Sequence, residues 1–306
     1  MAMRIAAEST SYRLPFIAAG LTAAAWIVDQ RLALLIAVWL LAWGVNAVLS
    51  RSGAPWARVA VPVIFGLTLL GLWEMAVRLY EVSPIILPAP SAIGAAFAAN
   101  TEILWADFVQ TILRGALVGY VLGCGIAVLV ALAIDRSAFL QRGLLPVGDF
   151  IAALPIVGTA PIFVMWFGFG PGSKIAVVVA MVFFPMLVNA VQGLKASDPM
   201  QRDLMHTYAA SPWQSLIKLR LPTALPFLFN GLKICTTLAL IGAIVAEFFG
   251  SPTVGMGFRI KIEVGRLAMD MVWAEITVAA LAGSGFYGLM AMLERRLTFW
   301  HPSQRR

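Results

Sequence analysis

Long apolar runs alternate with short polar breaks along the chain. Residues 14–28 and 32–49 are apolar and are split only by Asp29-Gln30-Arg31; a third run, 59–78, follows the polar linker 50–58. Further runs cover 111–134, 146–167, the stretch from Lys174 to about residue 191, 225–249 and 272–293. A helix rising about 1.5 Å per residue needs roughly 20 residues to cross the hydrocarbon of a bilayer, so the pattern predicts about eight transmembrane helices. The first two, joined by so tight a turn, read as a helical hairpin. A cleavable signal peptide fits the first run poorly, because a second span follows at once where a polar mature start would be needed. Pro84, Pro88 and Pro90 rule out a continuous helix over 82–91, and Ser91 is placed to cap an amphipathic segment after them. Residues 250–271 read as a polar loop.

The longest polar break between two apolar runs lies at 195–226. Within it, Asp198-Pro199-Met200-Gln201 and Ser211-Pro212-Trp213-Gln214 each supply a side-chain acceptor at a helix N-cap, proline at the first helical position and glutamine at the third. That is a capping box, so two short helices are expected to start at Asp198 and Ser211. Pro222, which lacks an amide, is expected to end the second near Leu221. Met200, Leu204 and Tyr208 share one face at i, i+4 spacing, with Trp213 beside them. Such a pair either lies amphipathically in the headgroups or forms a knob offered to a soluble partner.

From Tyr208 the chain reads Tyr-Ala-Ala-Ser-Pro-Trp-Gln-Ser-Leu-Ile-Lys-Leu-Arg-Leu-Pro-Thr-Ala-Leu-Pro226. This resembles the cytoplasmic coupling loop of bacterial ABC importer permeases: Glu-Ala-Ala, three residues, Gly, nine residues, then aliphatic-x-Leu-Pro. More narrowly it resembles the nitrate, taurine and aliphatic-sulfonate branch. Asp203-Leu204-Met205 stand where the family has Glu-Ala-Ala, and Ala209 stands where it has glycine. Leu87-Pro88-Ala89-Pro90 is similar to the family's Leu-Pro-x-Pro element, and the resemblance covers roughly 82–296. It implies an all-α polytopic membrane protein with a six-helix permease core and two extra N-terminal helices. Residues 1–58 would be the N-terminal addition and its linker, 59–110 the first core helix and an extracytoplasmic segment, and 111–306 the transport core. By the same resemblance the partners are two cytoplasmic ATPase subunits, a second permease copy and an extracytoplasmic solute-binding protein. Asp203, Tyr208, Ala209, Ser211 and Trp213 would meet the ATPase, and transport would proceed by alternating access.

Composition agrees with a membrane protein: 61% of residues are hydrophobic, 12% are charged, and the mean hydropathy is +0.89. The net charge of +7 is not gathered into a basic stripe interleaved with aromatics, which excludes nucleic acid as a partner and leaves membrane lipid. Alternating the spans from an inside N-terminus puts most Arg and Lys, including Arg51, Arg58, Arg136, Arg142, Lys195, Arg202 and Arg220, on the cytoplasmic side. Only Arg31, Arg78, Lys174, Arg259, Lys261 and Arg266 fall outside, so both termini are expected in the cytoplasm.

The run 146–167 contains Pro146, Pro155, Pro161 and Gly158. A broken helix is tolerated in hydrocarbon where protein or a water-filled cavity satisfies the freed carbonyls, so this span either lines a pathway or is a kinked packing helix. Thr159, Met165 and Trp166 on it, with Asn230, Lys233 and Thr237 on one face of the run 225–249, are the candidate cavity residues. Arg114, Asp149, Lys233, Glu247 and Glu275 are ionisable groups in or at the ends of spans. Arg114, Glu247 and Glu275 are expected at wet outer ends; Lys233 either snorkels to the headgroups or meets an anionic solute such as a sulfonate, taurine or nitrate. Asp149 is expected near Arg142 or Lys233.

Other signals are set aside. Gly283-Ser-Gly-Phe-Tyr-Gly288 satisfies G-x-G-x-x-G but lies in an apolar run after no strand, which is a packing pattern. Gly115, Gly119 and Gly123 likewise share a helix face that another helix can approach closely. No phosphate-binding loop or zinc-protease motif occurs, and Cys124, Cys235, His206 and His301 have no metal-ligand spacing. No cofactor and no catalytic residue are therefore expected; ATP hydrolysis would belong to partner subunits. The rival class is an ion-coupled secondary transporter, which predicts inverted repeats that the two halves do not display. A non-transporting scaffold would leave the broken span unexplained.

Overall fold

A computed structural model describes residues 22, 29–137, 139–140, 142–143, 155–250 and 253–300. The first apolar run apart from Thr22, together with Pro146 and Asp149, lies outside these residues. Everything regular among the described residues is helical: α1 Gln30–Arg51, α2 Ala57–Leu79, α3 Pro90–Ala99, α4 Thr101–Asp135, α5 Ile156–Phe167, α6 Pro171–Lys195, α7 Pro199–Thr207, α8 Pro212–Gly250, α9 Met256–Gly265 and α10 Met269–Leu297. Six of these (α1, α2, α4, α6, α8 and α10) are long and apolar enough to cross a membrane. The chain is thus an all-α polytopic membrane protein, with six such helices among the described residues.

Contacts divide the chain into two units, residues 1–99 with 267–273, and residues 100–266 with 274–306. In the first, α1 and α2 pack against each other as a hairpin joined through residues 52–56, while the hairpin expected of the runs 14–28 and 32–49 falls outside the described residues. Asp29 caps α1 by accepting from the Arg31 amide at 2.8 Å, and also accepts from the Tyr80 hydroxyl at 2.7 Å. Trp39 and Phe65 meet edge to face at 5.7 Å. Ser91 does not cap a helix: α3 begins one residue earlier, and the Ser91 amide and hydroxyl both donate to Glu74 on α2. Proline at the first helical position needs no amide partner, which is why the start shifts to Pro90.

The second unit is built on α4, α6 and α8, whose facing residues (Ala127, Ala131, Val178, Val182, Ala239 and Ala243 among them) form its apolar core. Small residues let the helices approach closely. A Cβ at Gly119 would fall 2.5 Å from Val178 Cβ, and one at Gly123 would fall 2.4 Å from Val182 Cγ2, so α6 sits directly on that glycine face. Gly115 differs, with its nearest neighbours 3.6 Å or more away.

Three expectations are corrected. The fourth span starts at Thr101 rather than Thr111 and is widened into π-helix over Val109–Ala116. The supposed loop 250–271 contains the helix α9. The helix capped by Ser211 does not stop at Pro222 but runs to Gly250, because a π turn over Leu216–Arg220 precedes the proline. The wider turn lessens the crowding that a proline ring imposes on the preceding carbonyls, and the Thr223 hydroxyl donates to the Leu219 carbonyl at 2.7 Å.

Candidate functional site

The break at 195–226 folds as the caps dictate. Asp198 accepts from the Met200 amide at 2.9 Å and starts α7. At Ser211 the full reciprocal box forms: the Gln214 amide donates to Ser211 Oγ at 3.3 Å and the Ser211 amide donates to Gln214 Oε1 at 2.9 Å. Between them Ala209 takes a left-handed backbone, φ +53°. No residue of α7 is buried, and Met200, Leu204, Tyr208 and Trp213 are 78%, 54%, 76% and 58% exposed. Asp203, Tyr208, Ala209, Ser211 and Trp213 therefore all lie on one accessible hairpin. So much exposed apolar and aromatic surface on so short an element exceeds what solvation alone calls for.

Arginines hold the hairpin at its base. Arg202 donates to the Lys195 carbonyl and to Ser197 Oγ, each at 2.6 Å. Arg220 grips the Asp135 carboxylate with both terminal nitrogens and donates from Nε to the Leu194 carbonyl at 3.1 Å. The Arg136 guanidinium lies 5.4 Å from the centre of the Trp213 ring. Sequence reasoning missed Arg220 and Asp135, which stand 85 residues apart.

Thr159 and Trp166 on α5 line a cavity of about 490 Å³, together with Ile156, Phe163, Met181, Phe184 and Leu238. The other cavity candidates are not brought into it. Met165 points away, 83% exposed. Asn230 donates to Asn189 at 3.0 Å, and Asn189 donates in turn to the Pro185 carbonyl at 2.8 Å. Thr237 is exposed beside Leu238. Lys233 makes an ion pair with Glu294 on α10 at 2.7 Å, so it meets a carboxylate of its own chain.

Glu247 and Glu275 are 1% and 0% exposed, not at wet ends. Glu247 anchors a buried polar knot. Lys174 Nζ donates to Oε1 at 3.0 Å; the Thr111 hydroxyl (2.8 Å) and the Gly257 amide (2.9 Å) donate to Oε2. Asp107 accepts from the Gly255 amide at 2.6 Å and from Arg259 Nε at 2.9 Å, and the Met256 amide donates to Thr111 Oγ1 at 2.8 Å. Three successive amides at the start of α9, which have no partner within the helix, are thus taken by Asp107, Thr111 and Glu247. The π-helical widening carries Thr111. The one signal available beforehand was Gly255-Met-Gly257, since a Cβ on Gly257 would lie 2.2 Å from the Ile244 carbonyl oxygen.

Residues 119–299 match the family model described as binding-protein-dependent transport system inner membrane component. A probable ABC transporter permease of Haemophilus influenzae is 33% identical over 72% of this chain and 89% of its own. A riboflavin transport system permease of Chloroflexus aurantiacus is 32% identical over 81% and 92%. The taurine transport system permease of Escherichia coli is 30% identical over 76% and 86%.

Proposed function

Because the chain belongs to the inner membrane components of binding-protein-dependent transport systems, we propose that it is the transmembrane subunit of an ATP-driven importer that moves a small organic solute into the cytoplasm by alternating access. The observation that carries this reading is the doubly capped, accessible hairpin 198–215, whose apolar face calls for a partner. Asp203, Tyr208, Ala209, Ser211 and Trp213 dock an ATPase subunit there. Two such subunits, a second permease copy and an extracytoplasmic binding protein complete the assembly. Both termini face the cytoplasm, residues 1–58 are an addition to the transport core, and ATP hydrolysis belongs to the partners.

The cavity beside α5 belongs to the solute pathway, and its lining bears on the solute. Phe163, Trp166 and Phe184 offer aromatic faces, while Thr159 supplies a hydroxyl already donating to the Ile156 carbonyl at 3.2 Å. Lys233, the cation expected to snorkel or to meet an anion, is held by Glu294, and Lys174 is held by Glu247. A bare inorganic ion such as nitrate would lose its hydration there without compensation, whereas an organic sulfonate such as taurine brings hydrocarbon and a ring-bearing solute brings a π face.

The test is to purify the tagged chain from its own membrane and identify what comes with it. ATPase subunits should co-purify with the natural chain, and Ala209→Glu should leave insertion intact while losing them. Full assembly and uptake by Ala209→Glu would count against the assignment.

A further inference from the structure

Docking an ATPase does not by itself move a membrane helix; the hairpin must also be fastened to the spans it is to displace. That fastening is narrow. Arg220 closes the π turn of α8, Asp135 is the last residue of α4, and Leu194 lies in the last turn of α6, so one guanidinium joins the π turn of α8 to the ends of α4 and α6. Nη1 donates to Asp135 Oδ2 at 2.8 Å, Nη2 donates to Oδ1, and Nε and Nη2 reach the Leu194 carbonyl at 3.1 and 2.9 Å. That carbonyl is one of the four that a helix end leaves unbonded. The side chains of Arg220 and Asp135 are only 20% and 13% exposed, which shields the pair from water and salt.

Geometry separates this clasp from the docking face. Arg220 and Asp135 turn inward toward the core ends, whereas Met200, Tyr208 and Trp213 turn outward. A planar fork held by two carboxylate oxygens and a carbonyl resists rotation as well as separation, which a single point charge does not. A π turn on one side of the fork supplies the compliant neighbour about which a fixed joint can work.

We infer that the Arg220–Asp135 clasp is a positioning joint that transmits displacement of the hairpin to α4 and α6, and that it is needed for coupling but not for ATPase docking. This rests on the importer reading given above. The joint therefore makes a prediction that docking residues do not: breaking it leaves the ATPase bound and hydrolysing while the membrane cavity no longer responds.

The experiment uses the full complex, co-purified with its ATPase and reconstituted in nanodiscs, with Ile162, which also lines the cavity beside α5, changed as Ile162→Cys to serve as the reporter. The rate of labelling by a water-soluble maleimide is read before and after trapping with ATP and vanadate. In the reporter background trapping should change the rate by about fivefold or more. Asp135→Asn and Arg220→Lys should keep the co-purified ATPase and its hydrolysis but abolish that change. The exchanged pair Asp135→Arg with Arg220→Asp should restore at least part of it, which a general loss of folding would not allow. A reporter response in Asp135→Asn equal to that of the reporter background overturns the joint, as does loss of the ATPase from both single variants, which would make the clasp a docking element. Failure of the natural chain to hold any ATPase would instead overturn the importer reading.

Discussion

Lys174, in the first turn of α6, and Glu247, in the last turn of α8, meet at 3.0 Å with both side chains buried. Each stands at the helix end whose dipole disfavours it: a cation at an N-terminus, an anion at a C-terminus. Their pairing, with the Gly257 amide and the Thr111 hydroxyl on the second carboxylate oxygen, is what makes those positions tolerable. Lys174→Met should therefore lower stability by about 3–5 kcal/mol, because it strands a buried carboxylate. Adding Glu247→Gln should recover part of that loss. Thermal unfolding in detergent distinguishes the outcomes, and a single variant as stable as the parent would show that the pair carries no weight.

The turn into α9 makes a sharper claim. Gly255 has φ +138°, and a Cβ there would lie 2.4 Å from Glu247 Oε1; on Gly257 it would meet the Ile244 carbonyl oxygen at 2.2 Å. Backbone cannot step aside as a flexible side chain can. Gly257→Ala is expected to cost on the order of 3 kcal/mol and to expose α9 to protease, whereas Gly265→Ala, with open space around it, should be nearly neutral. Limited proteolysis of the two variants side by side checks the contrast.

What could be read beforehand follows from the range of the forces. The spans came from runs of apolar residues, and the hairpin came from caps whose donors and acceptors lie within three residues of each other. Gly119 and Gly123 showed a close-packing face because helical spacing is local too. The knot could not be read that way: Lys174 and Glu247 are 73 residues apart, and Asp107 and Arg259 are 152 apart. α9 looked like a loop because its own sequence, Met-Gly-Phe-Arg-Ile-Lys-Ile-Glu-Val-Gly, carries three charges, and its start is held by acceptors from other elements. Pro222 misled for a related reason, since the π turn that accommodates it leaves no mark in residue types.

At the open end of the α1–α2 hairpin, Asp29 gives a pH dependence. The Tyr80 hydroxyl, then the Arg31 amide, hold its carboxyl below the usual aspartate range. A depressed folded-state value contributes stability that is present above the unfolded value and is lost as pH falls through the folded one, so the pin should release only in acid. Tyr80→Phe should move the Asp29 titration upward, toward the unperturbed value. A carbon-13 titration of labelled aspartate would show it; an unchanged Asp29 in Tyr80→Phe would mean the hydroxyl contributes nothing.

Ala209 offers a test in which a substitution should improve the protein. Its φ of +53° places an L side chain in the left-handed region, between a helix that ends at Thr207 and a cap at Ser211. The strain arises because Cβ crowds the following carbonyl, and it costs roughly 1–2 kcal/mol for any residue but glycine. Glycine removes that strain but adds freedom to the unfolded chain, which returns a part of the gain. Ala209→Gly should therefore stabilise the hairpin by about 0.5–1 kcal/mol, and Ala209→Val should destabilise it by more, because a β-branched side chain tolerates this backbone least. Hydrogen exchange at the Ala210 amide, which donates to the Met205 carbonyl at 3.0 Å, reads the local effect directly. Slower exchange in Ala209→Gly and faster exchange in Ala209→Val is the expected order, and the reverse order would mean that the turn is held in place by something other than its backbone.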